Sequence, residues 1–271
     1  MAAALGALIA DEVLKEGFDG AALDGFWQTG AQTGAFDQAT TRGGFVEAIR
    51  TVAKAVRGDG GDGVDQAAKR AVVLAVPPAR SGDNARGFGP ADLERLEGDV
   101  DVFSVMSYDF SAGRAGPNAP LVWVDRTVRW LLGLDLAHQA SVEDAVGEAL
   151  GDATKRALAA KLAIGLNFYG YDYRIGADGA GTSAGEAVLG RQLVDVLKSE
   201  EHKVLPRVAW LPSPMAEHTV NYTNAADGAV HAVFYPSPAS IKARLDVAAM
   251  YGTGVAIWEA GQGLACFWDL L

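Results

Sequence analysis

Short apolar runs rich in β-branched residues alternate along this chain with segments whose apolar positions recur every three to four residues. The first pattern predicts strands, and the second predicts amphipathic helices. An apolar run such as residues 70–77 is typical of a parallel strand that is buried on both faces. The predicted strands are residues 17–24, 70–77, 102–108, 162–168 and 254–259. The predicted helices are 1–15, 36–57, 90–96, 120–132 and 237–251, with one or two more over residues 138–160. This alternation predicts an α/β fold of the (β/α)8 TIM-barrel type.

The stretch before the last strand breaks this alternation. A helix over residues 186–198, opened by a capping box of Ser183 and Glu186, is followed by two extended runs, 206–211 and 229–235. We predict that these two runs pair as a small antiparallel sheet. Residues 174–236 would then be a small α+β insertion within one domain that spans residues 1–271.

Aromatic and acidic residues gather at the ends of three predicted strands. Tyr108 and Asp109 end one strand, Tyr169 to Asp172 follow another, and Trp258 and Glu259 end the last. In a parallel barrel the carboxyl ends of the strands line the mouth where ligands bind. Aromatic rings cover the apolar faces of a pyranose, and carboxylates bind its hydroxyls. The pattern therefore predicts a sugar-like ligand.

Composition excludes several other classes of function. The net charge of −11, with no basic run to offset it, argues against nucleic acid and anionic membrane surfaces as partners. A single cysteine, Cys266, rules out an intrachain disulfide, and the four histidines lack metal-ligand spacing. Residues 1–10 are apolar but lack a basic region before Asp11, so we expect no signal peptide or membrane insertion there.

Two short motifs fail the test of context. The glycine pattern G-x-G-x-x-G at residues 58–63 follows a predicted helix and leads into a strand, the reverse of a dinucleotide site. The pattern G-x-S-x-G at residues 181–185 does not directly follow a buried strand, as a nucleophile elbow must. We therefore predict neither a nucleotide site nor a serine hydrolase.

The segment at residues 18–26 resembles the acidic strand of glycoside hydrolase family 18, the chitinases and chitinase-like lectins. That motif is F-D-G-x-D-x-D-x-E, and its last Glu is the general acid of the family. Asp19 and Asp24 match the first and third Asp. Ala22 stands at the middle Asp, and Phe26 stands at the catalytic Glu.

Further motifs extend this resemblance in the same order over nearly the whole chain. Residues 106–109 resemble the family's M-x-Y-D, residues 165–170 resemble G-x-P-F-Y-G with Asn167 for Pro, and Trp258 resembles the last-strand tryptophan. The nearest group in this resemblance is the chitinase domain-containing protein 1 group. It is suggested by residues 116–121, 165–173, 233–236, 257–263 and 268–271.

The resemblance also accounts for the number of predicted strands, which is smaller than the eight of a closed barrel. The acidic motif lies on the fourth strand in that family, so it implies that strands four to eight are present and that the barrel is truncated at its N-terminus. A signal peptide of the family would also lie upstream. The resemblance thus implies a secreted, endomembrane or lysosomal protein, whereas the chain itself leaves the compartment unknown.

The same resemblance carries an expectation about catalysis. Family 18 chitinases use the 2-acetamido oxygen of the sugar as nucleophile, while a Glu protonates the leaving oxygen. Phe26 has no proton to give, so we expect a pseudoenzyme that binds a chito-oligosaccharide or another N-acetylglucosamine-type glycan and is not an enzyme. The expected ligand-binding residues are Asp24, Met106, Tyr108, Asp109, Tyr169, Asp172, Trp258 and Glu259, with no catalytic residue, cofactor or metal.

Two alternatives stay open at this point. The first is an active glycosidase of the family type with a relocated acid, for which Glu259 or Asp109 would be the candidate. The second is a protein-interaction scaffold, with an unknown protein partner, in which the aromatic strand ends serve packing alone. Binding of an oligosaccharide, its cleavage, or the absence of both would separate these interpretations.

Overall fold

The computed structural model describes residues 1–27, 39–58, 70–79, 87–111, 113–134, 142–176, 181, 184–202, 204–225 and 228–271. Residues 59–63 of the glycine pattern and Ser183 therefore lie outside the described residues. The chain forms two compact units. The first comprises residues 1–106, 127–163 and 251–254, and the second comprises residues 107–126, 164–250 and 255–271.

The described elements follow the chain in this order. The strands are β1 (Gly20–Leu23), β2 (Ala71–Val76), β3 (Val102–Val105), β4 (Leu162–Asn167), β5 (Tyr169–Ile175), β6 (Glu186–Leu189), β7 (Val204–Leu211), β8 (Glu217–Thr223), β9 (Val230–Tyr235) and β10 (Gly254–Trp258). The helices are α1 (Ala2–Glu16), α2 (Ala39–Arg57), α3 (Pro90–Leu96), α4 (Leu121–Leu131), α5 (Val142–Gly151), α6 (Ala153–Lys161), α7 (Gly190–Lys198) and α8 (Pro238–Tyr251).

In the first unit, β1, β2 and β3 pair in parallel. Leu23 lies opposite Leu74, and Leu74 lies opposite Phe103 on the next strand. Leu74 and Phe103 are fully buried, as the apolar runs predict. Gly20 allows β1 and β2 to approach, because a Cβ at this position would lie 2.0 Å from the carbonyl oxygen of Ala71.

In the second unit, β4 and β10 are neighbours, and an antiparallel sheet has the order β6-β5-β9-β8-β7. The N–H of Phe168, just after β4, donates to the carbonyl of Trp258 at the end of β10 over 2.8 Å. Within the antiparallel sheet, Val233 on β9 lies between Asp172 on β5 and Val220 on β8. The buried core of this unit includes Leu166, Phe168, Val220, Val233, Tyr235 and Phe267.

The parallel strands occur where the sequence predicts them, but the antiparallel sheet differs from the prediction. Residues 186–189 form a strand, and α7 begins at Gly190 with the side chain of Gln192 accepting from the N–H of Leu189 over 2.8 Å. The two predicted runs do not pair with each other, because both flank β8. β8 itself was not predicted, because its buried, polar Glu217 interrupts the alternation of apolar and polar residues that indicates a strand.

Within the described ranges, none of the helices is both long enough and apolar enough to cross a membrane.

Candidate functional site

Two tyrosine hydroxyls converge on the carboxylate of Asp109. The hydroxyl of Tyr169 donates a hydrogen bond to Oδ1 of Asp109, and the hydroxyl of Tyr171 donates to the same oxygen over 2.8 Å. Tyr169 and Tyr171 are two residues apart on β5, so their side chains stand on the same face of the strand. Asp109 lies in the segment after β3 and is exposed. The three side chains form one polar cluster with an open side.

The backbone of Asp109 has an unusual conformation. Its φ is 64°, in the left-handed region that few residues other than glycine adopt, although Asp and Asn are enriched there. The N–H of Asp109 donates to Oδ1 of Asn118 over 2.7 Å, and the N–H of Phe110 donates to the carbonyl of Asn118 over 2.9 Å. The loop therefore folds back on itself and fixes the direction in which the Asp109 side chain leaves the backbone.

Burial and the Asp109 charge control the ionisation of the two phenols. Burial, followed by the hydrogen bond to Asp109, raises the pKa of Tyr169 far above its ordinary value. The same two causes, in the same order, raise the pKa of Tyr171 to about 12. Both phenols thus stay neutral near pH 7 and donate, so the Asp109 carboxylate serves as their acceptor.

A row of aromatic rings continues from this cluster along β5. The ring of Tyr169 lies 6.2 Å from that of Tyr108 and 5.6 Å from that of Tyr171, in edge-to-face contacts. The ring of Tyr171 is 6.0 Å from that of Tyr173, which is 5.9 Å from Phe234 on β9. Tyr173 is anchored by its hydroxyl, which donates to the carbonyl of Ser111 over 2.8 Å. Tyr169 and Tyr173 are buried within this row, whereas the rings of Tyr108 and Tyr171 are partly exposed beside the Asp109 carboxylate.

Trp258 ends β10 in the same unit and is half exposed, with 50% of its surface accessible. A cis peptide bond joins it to Glu259, whose side chain is also exposed. The carbonyl of Glu259 accepts from the N–H of Gln262 over 3.1 Å. The exposed indole can stack on a ligand ring, and the exposed carboxyl follows it directly in the chain.

Asp24 and Met106, two more of the predicted ligand-binding residues, belong to the first unit. Asp24 follows β1, and its Oδ1 accepts from the N–H of Gly25 over 2.6 Å. Asp24 and Phe26 do not lie on one continuous strand. The strand ends at Leu23, and Gly25 has a φ of 77°, so the alternation of faces stops before Phe26.

Met106 follows β3, and its N–H donates to the carbonyl of Val76 over 3.0 Å. The observed strand is shorter than the predicted strand 102–108: it ends at Val105, and only this hydrogen bond of Met106 continues the backbone pairing.

Asp172 lies on the opposite face of β5 from Tyr169 and Tyr171, because neighbouring residues of a strand point to opposite faces. Its Oδ2 accepts from the hydroxyl of Tyr222 over 2.6 Å, and its Oδ1 lies 3.0 Å from Nδ1 of His231. The structure therefore brings together Tyr108, Asp109 and Tyr169 among the predicted residues and separates Asp172 from them.

One residue of the cluster, Tyr171, and one residue that supports it, Asn118, were not among the site residues predicted from the sequence. Tyr171 had a signal, since it stands two positions after Tyr169 and must share its face. Asn118 lies in the motif at residues 116–121, but its role depends on a loop that returns to Asp109 nine residues away, which that motif does not indicate.

The described part of the chain holds no group of three His, Cys, Asp or Glu side chains that could bind a metal ion.

Comparison with known proteins agrees with this architecture. The family model "Glycosyl hydrolases family 18" matches residues 6–263. A chitinase of Chromobacterium violaceum has a similar structure, with a TM-score of 0.68 and 19% identity over 98% of this chain and 68% of that chain. The fold is thus the TIM-barrel-like α/β fold of this family, with a parallel sheet and an antiparallel insertion.

Two further structures show the same fold. The spore cortex-lytic enzyme SleL of Bacillus megaterium matches with a TM-score of 0.64 and 15% identity, over 97% of this chain and 50% of that chain. A class V chitinase mutant of Cycas revoluta, solved in complex with (GlcNAc)3, matches with a TM-score of 0.59 and 15% identity, over 94% of this chain and 67% of that chain.

The expectation that the chain is not an enzyme is wrong on these findings. The model of a hydrolase family matches nearly the whole chain, including the acidic segment at residues 18–26. The similar structures are those of chitinases and of a spore cortex-lytic enzyme. Phe26 at the motif's last position does not by itself establish that catalysis is lost.

Proposed function

We propose a function from the premise that this chain belongs to the glycosyl hydrolases family 18: it binds a chito-oligosaccharide and hydrolyses a glycosidic bond of that ligand. The observation that carries the proposal is the pair of phenols, Tyr169 and Tyr171, that donate to one exposed carboxylate, Asp109. The (GlcNAc)3 ligand of the similar Cycas revoluta chitinase supports the choice of substrate.

The chemistry of the ligand matches the chemistry of the cluster. An N-acetylglucosamine unit has hydroxyl and amide N–H donors, which a carboxylate such as Asp109 accepts, and apolar C–H faces, which aromatic rings cover. Tyr108 extends the aromatic surface beside Tyr169, and the half-exposed indole of Trp258 provides a stacking face. We assign sugar binding to Tyr108, Asp109, Tyr169, Tyr171 and Trp258.

Hydrolysis requires a proton donor to the leaving oxygen, and we assign it to Glu259. Phe26 carries no ionisable proton, and Asp109 is already engaged as the acceptor of two phenols. The carboxyl of Glu259 is exposed and next in the chain to Trp258. In this scheme the acetamido oxygen of the sugar attacks the anomeric carbon, the glycosidic bond breaks, and the leaving oxygen takes the proton of Glu259. Water then opens the cyclic intermediate and returns a proton to Glu259.

We further infer that the chain is part of the chitinase domain-containing protein 1 group within the family. The segments at residues 116–121, 165–173 and 257–263 support this assignment.

The test is turnover of a fluorogenic N-acetylglucosamine oligomer, with the products identified by mass spectrometry. We expect cleavage above the blank, and a loss of about 10²- to 10⁴-fold in kcat for Glu259→Gln, the range typical of a general acid. Glu200→Gln, at an exposed glutamate after α7, is the matched control and should keep the wild-type rate.

The outcomes separate the parts of the proposal. Full activity of Glu259→Gln would remove Glu259 as the proton donor. No turnover by the wild-type protein would remove hydrolysis. Binding of the oligomer, measured independently by calorimetry, tests the assignment of the sugar site.

A further inference from the structure

We propose that Asn118 is a positioning residue that joins Asp109 and Tyr169 into one rigid pair, and that the buried pair of Glu217 and Arg244 fixes Asn118 in place. The consequence for catalysis rests on the proposed function. The positioning itself can be measured without any substrate.

The carboxamide of Asn118 contacts both members of the pair. Its Oδ1 accepts from the N–H of Asp109 over 2.7 Å, and its Nδ2 donates to the carbonyl of Tyr169 over 3.3 Å. Asn118 is fully buried. A carboxamide offers an acceptor and a donor on one planar group, whereas a carboxylate offers acceptors alone. The side chain of Asn118 therefore ties the backbones of two residues whose own side chains also meet.

The backbone of Asn118 is held by a second carboxylate. Oε1 of Glu217 accepts from the N–H of Asn118 over 2.9 Å, and Oε2 accepts from the N–H of Ala119 over 3.2 Å. The side chain of Glu217 is 1% exposed. Hydrogen bonds to an ionised carboxylate are stronger than those between neutral groups, so this contact fixes the loop firmly at Asn118.

Arg244 of α8 completes the arrangement. Its Nη2 lies 3.4 Å from Oε2 of Glu217 and also donates to the carbonyl of Ala119. Its Nη1 donates to the carbonyls of Ala216 over 2.8 Å and Ser240 over 2.7 Å. A buried charge requires such partners, and here they come from the loop, from the residue before β8 and from α8 itself. The loop is thus attached to a helix through two buried charges.

The conformation of Asp109 shows why such support has a functional effect. The φ of 64° at Asp109 is a strained, sparsely populated conformation that persists where surrounding contacts over-determine it. One of these contacts is the hydrogen bond that Oδ1 of Asn118 accepts from the N–H of Asp109. Without it, we expect Asp109 to relax and its carboxylate to leave the phenols of Tyr169 and Tyr171. Because Asp109 is assigned to sugar binding, we expect its displacement to misplace the sugar and to lower kcat/KM by about tenfold to a hundredfold.

The experiment uses fluorotyrosine-labelled protein and fluorine NMR at neutral pH, with the resonances assigned by Tyr169→Phe and Tyr171→Phe. Asn118→Ala should shift both resonances in the direction produced by Asp109→Asn. It should also lower kcat/KM on the N-acetylglucosamine oligomer by about tenfold to a hundredfold. Asn118→Asp keeps the acceptor for the Asp109 N–H but loses the donor to the carbonyl of Tyr169, so it should shift the resonances in the same direction as Asn118→Ala.

Tyr251→Phe is the control for a merely structural loss. It removes a buried hydrogen bond of 3.0 Å with Nε of Arg129 in the first unit, and should leave both tyrosine resonances unchanged. Wild-type resonances in folded Asn118→Ala would overturn the proposal. If Asn118→Ala does not fold, wild-type resonances in folded Asn118→Asp would overturn it. Shifted resonances without any glycan binding or turnover by the wild-type protein would keep the positioning role and reject the proposed function.

Discussion

The guanidinium of Arg244 lies 3.4 Å from the carboxylate of Glu217, and both side chains are 1% exposed. Burial raises the pKa of Glu217 and lowers that of Arg244, and each charge opposes the effect of burial on the other. The two groups therefore depend on each other to stay ionised in the interior. Removal of either partner alone leaves a buried charge without its counter-ion.

This dependence predicts a strong coupling in stability. Glu217→Gln should lower the free energy of unfolding by about 3–5 kcal/mol, because Arg244 is then left uncompensated. The double variant Glu217→Gln with Arg244→Met should lose less than the sum of the two single variants. Urea unfolding followed by circular dichroism measures all three values.

The control for this prediction lies on the same helix. Lys242 and Asp246 are 2.7 Å apart but remain 65% and 58% exposed. Asp246→Asn should cost less than about 1 kcal/mol, because solvent screens an exposed pair. Additive losses at Glu217 and Arg244 would show that their charges do not interact.

Trp258→Ala should weaken binding of an N-acetylglucosamine oligomer by about tenfold to a hundredfold. Stacking of a planar ring on one aromatic side chain contributes on the order of 1–3 kcal/mol in nucleic-acid complexes, and we expect a similar value for a sugar face. Calorimetric titration is the measurement. Trp210→Ala removes another exposed indole, 41% accessible on β7, and should not change the affinity. Equal affinities for the two variants would take Trp258 out of the site.

Asp172→Asn should leave the glycan affinity unchanged and lower stability. Asp172 lies on the face of β5 away from Tyr169 and accepts from Tyr222 over 2.6 Å. Hydrogen bonds to charged groups contribute about 1.5–3 kcal/mol to stability, so part of that amount should be lost. Paired measurements of glycan affinity and of urea unfolding test this, and a loss of affinity in a fully stable variant would place Asp172 in the site.

Tyr171 should make the protein sensitive to alkali. Its pKa is raised to about 12 from the ordinary value of 10.0, so the folded state keeps a proton that the unfolded chain loses. This contribution is complete below about pH 10 and is lost as the pH rises towards about 12. The free energy of unfolding of Tyr171→Phe should therefore fall less steeply with pH over this range. Identical slopes for both proteins in denaturant titrations would contradict the assignment.

The positions of the parallel strands could be predicted from the sequence, because each rests on a local apolar run. β2 lies within the predicted strand 70–77, and its Leu74 and Val76 are fully buried as that pattern requires. The aromatic and acidic strand ends were equally visible, since Tyr108, Asp109 and Tyr169 follow such runs directly. Short stretches of sequence were therefore enough to predict which residue types occur at the site.

Tertiary structure alone decided which of these residues meet and how they are held. Asp109 contacts Tyr169 and Tyr171 across 60 and 62 residues of sequence, and Glu217 reaches Asn118 across 99. No local pattern encodes these contacts, because a polar side chain's partner depends on how the loop and the sheet pack. β8 could not be predicted for the same reason. Its buried Glu217 is stabilised by Arg244 and two backbone N–H groups, and these partners lie far away in the sequence.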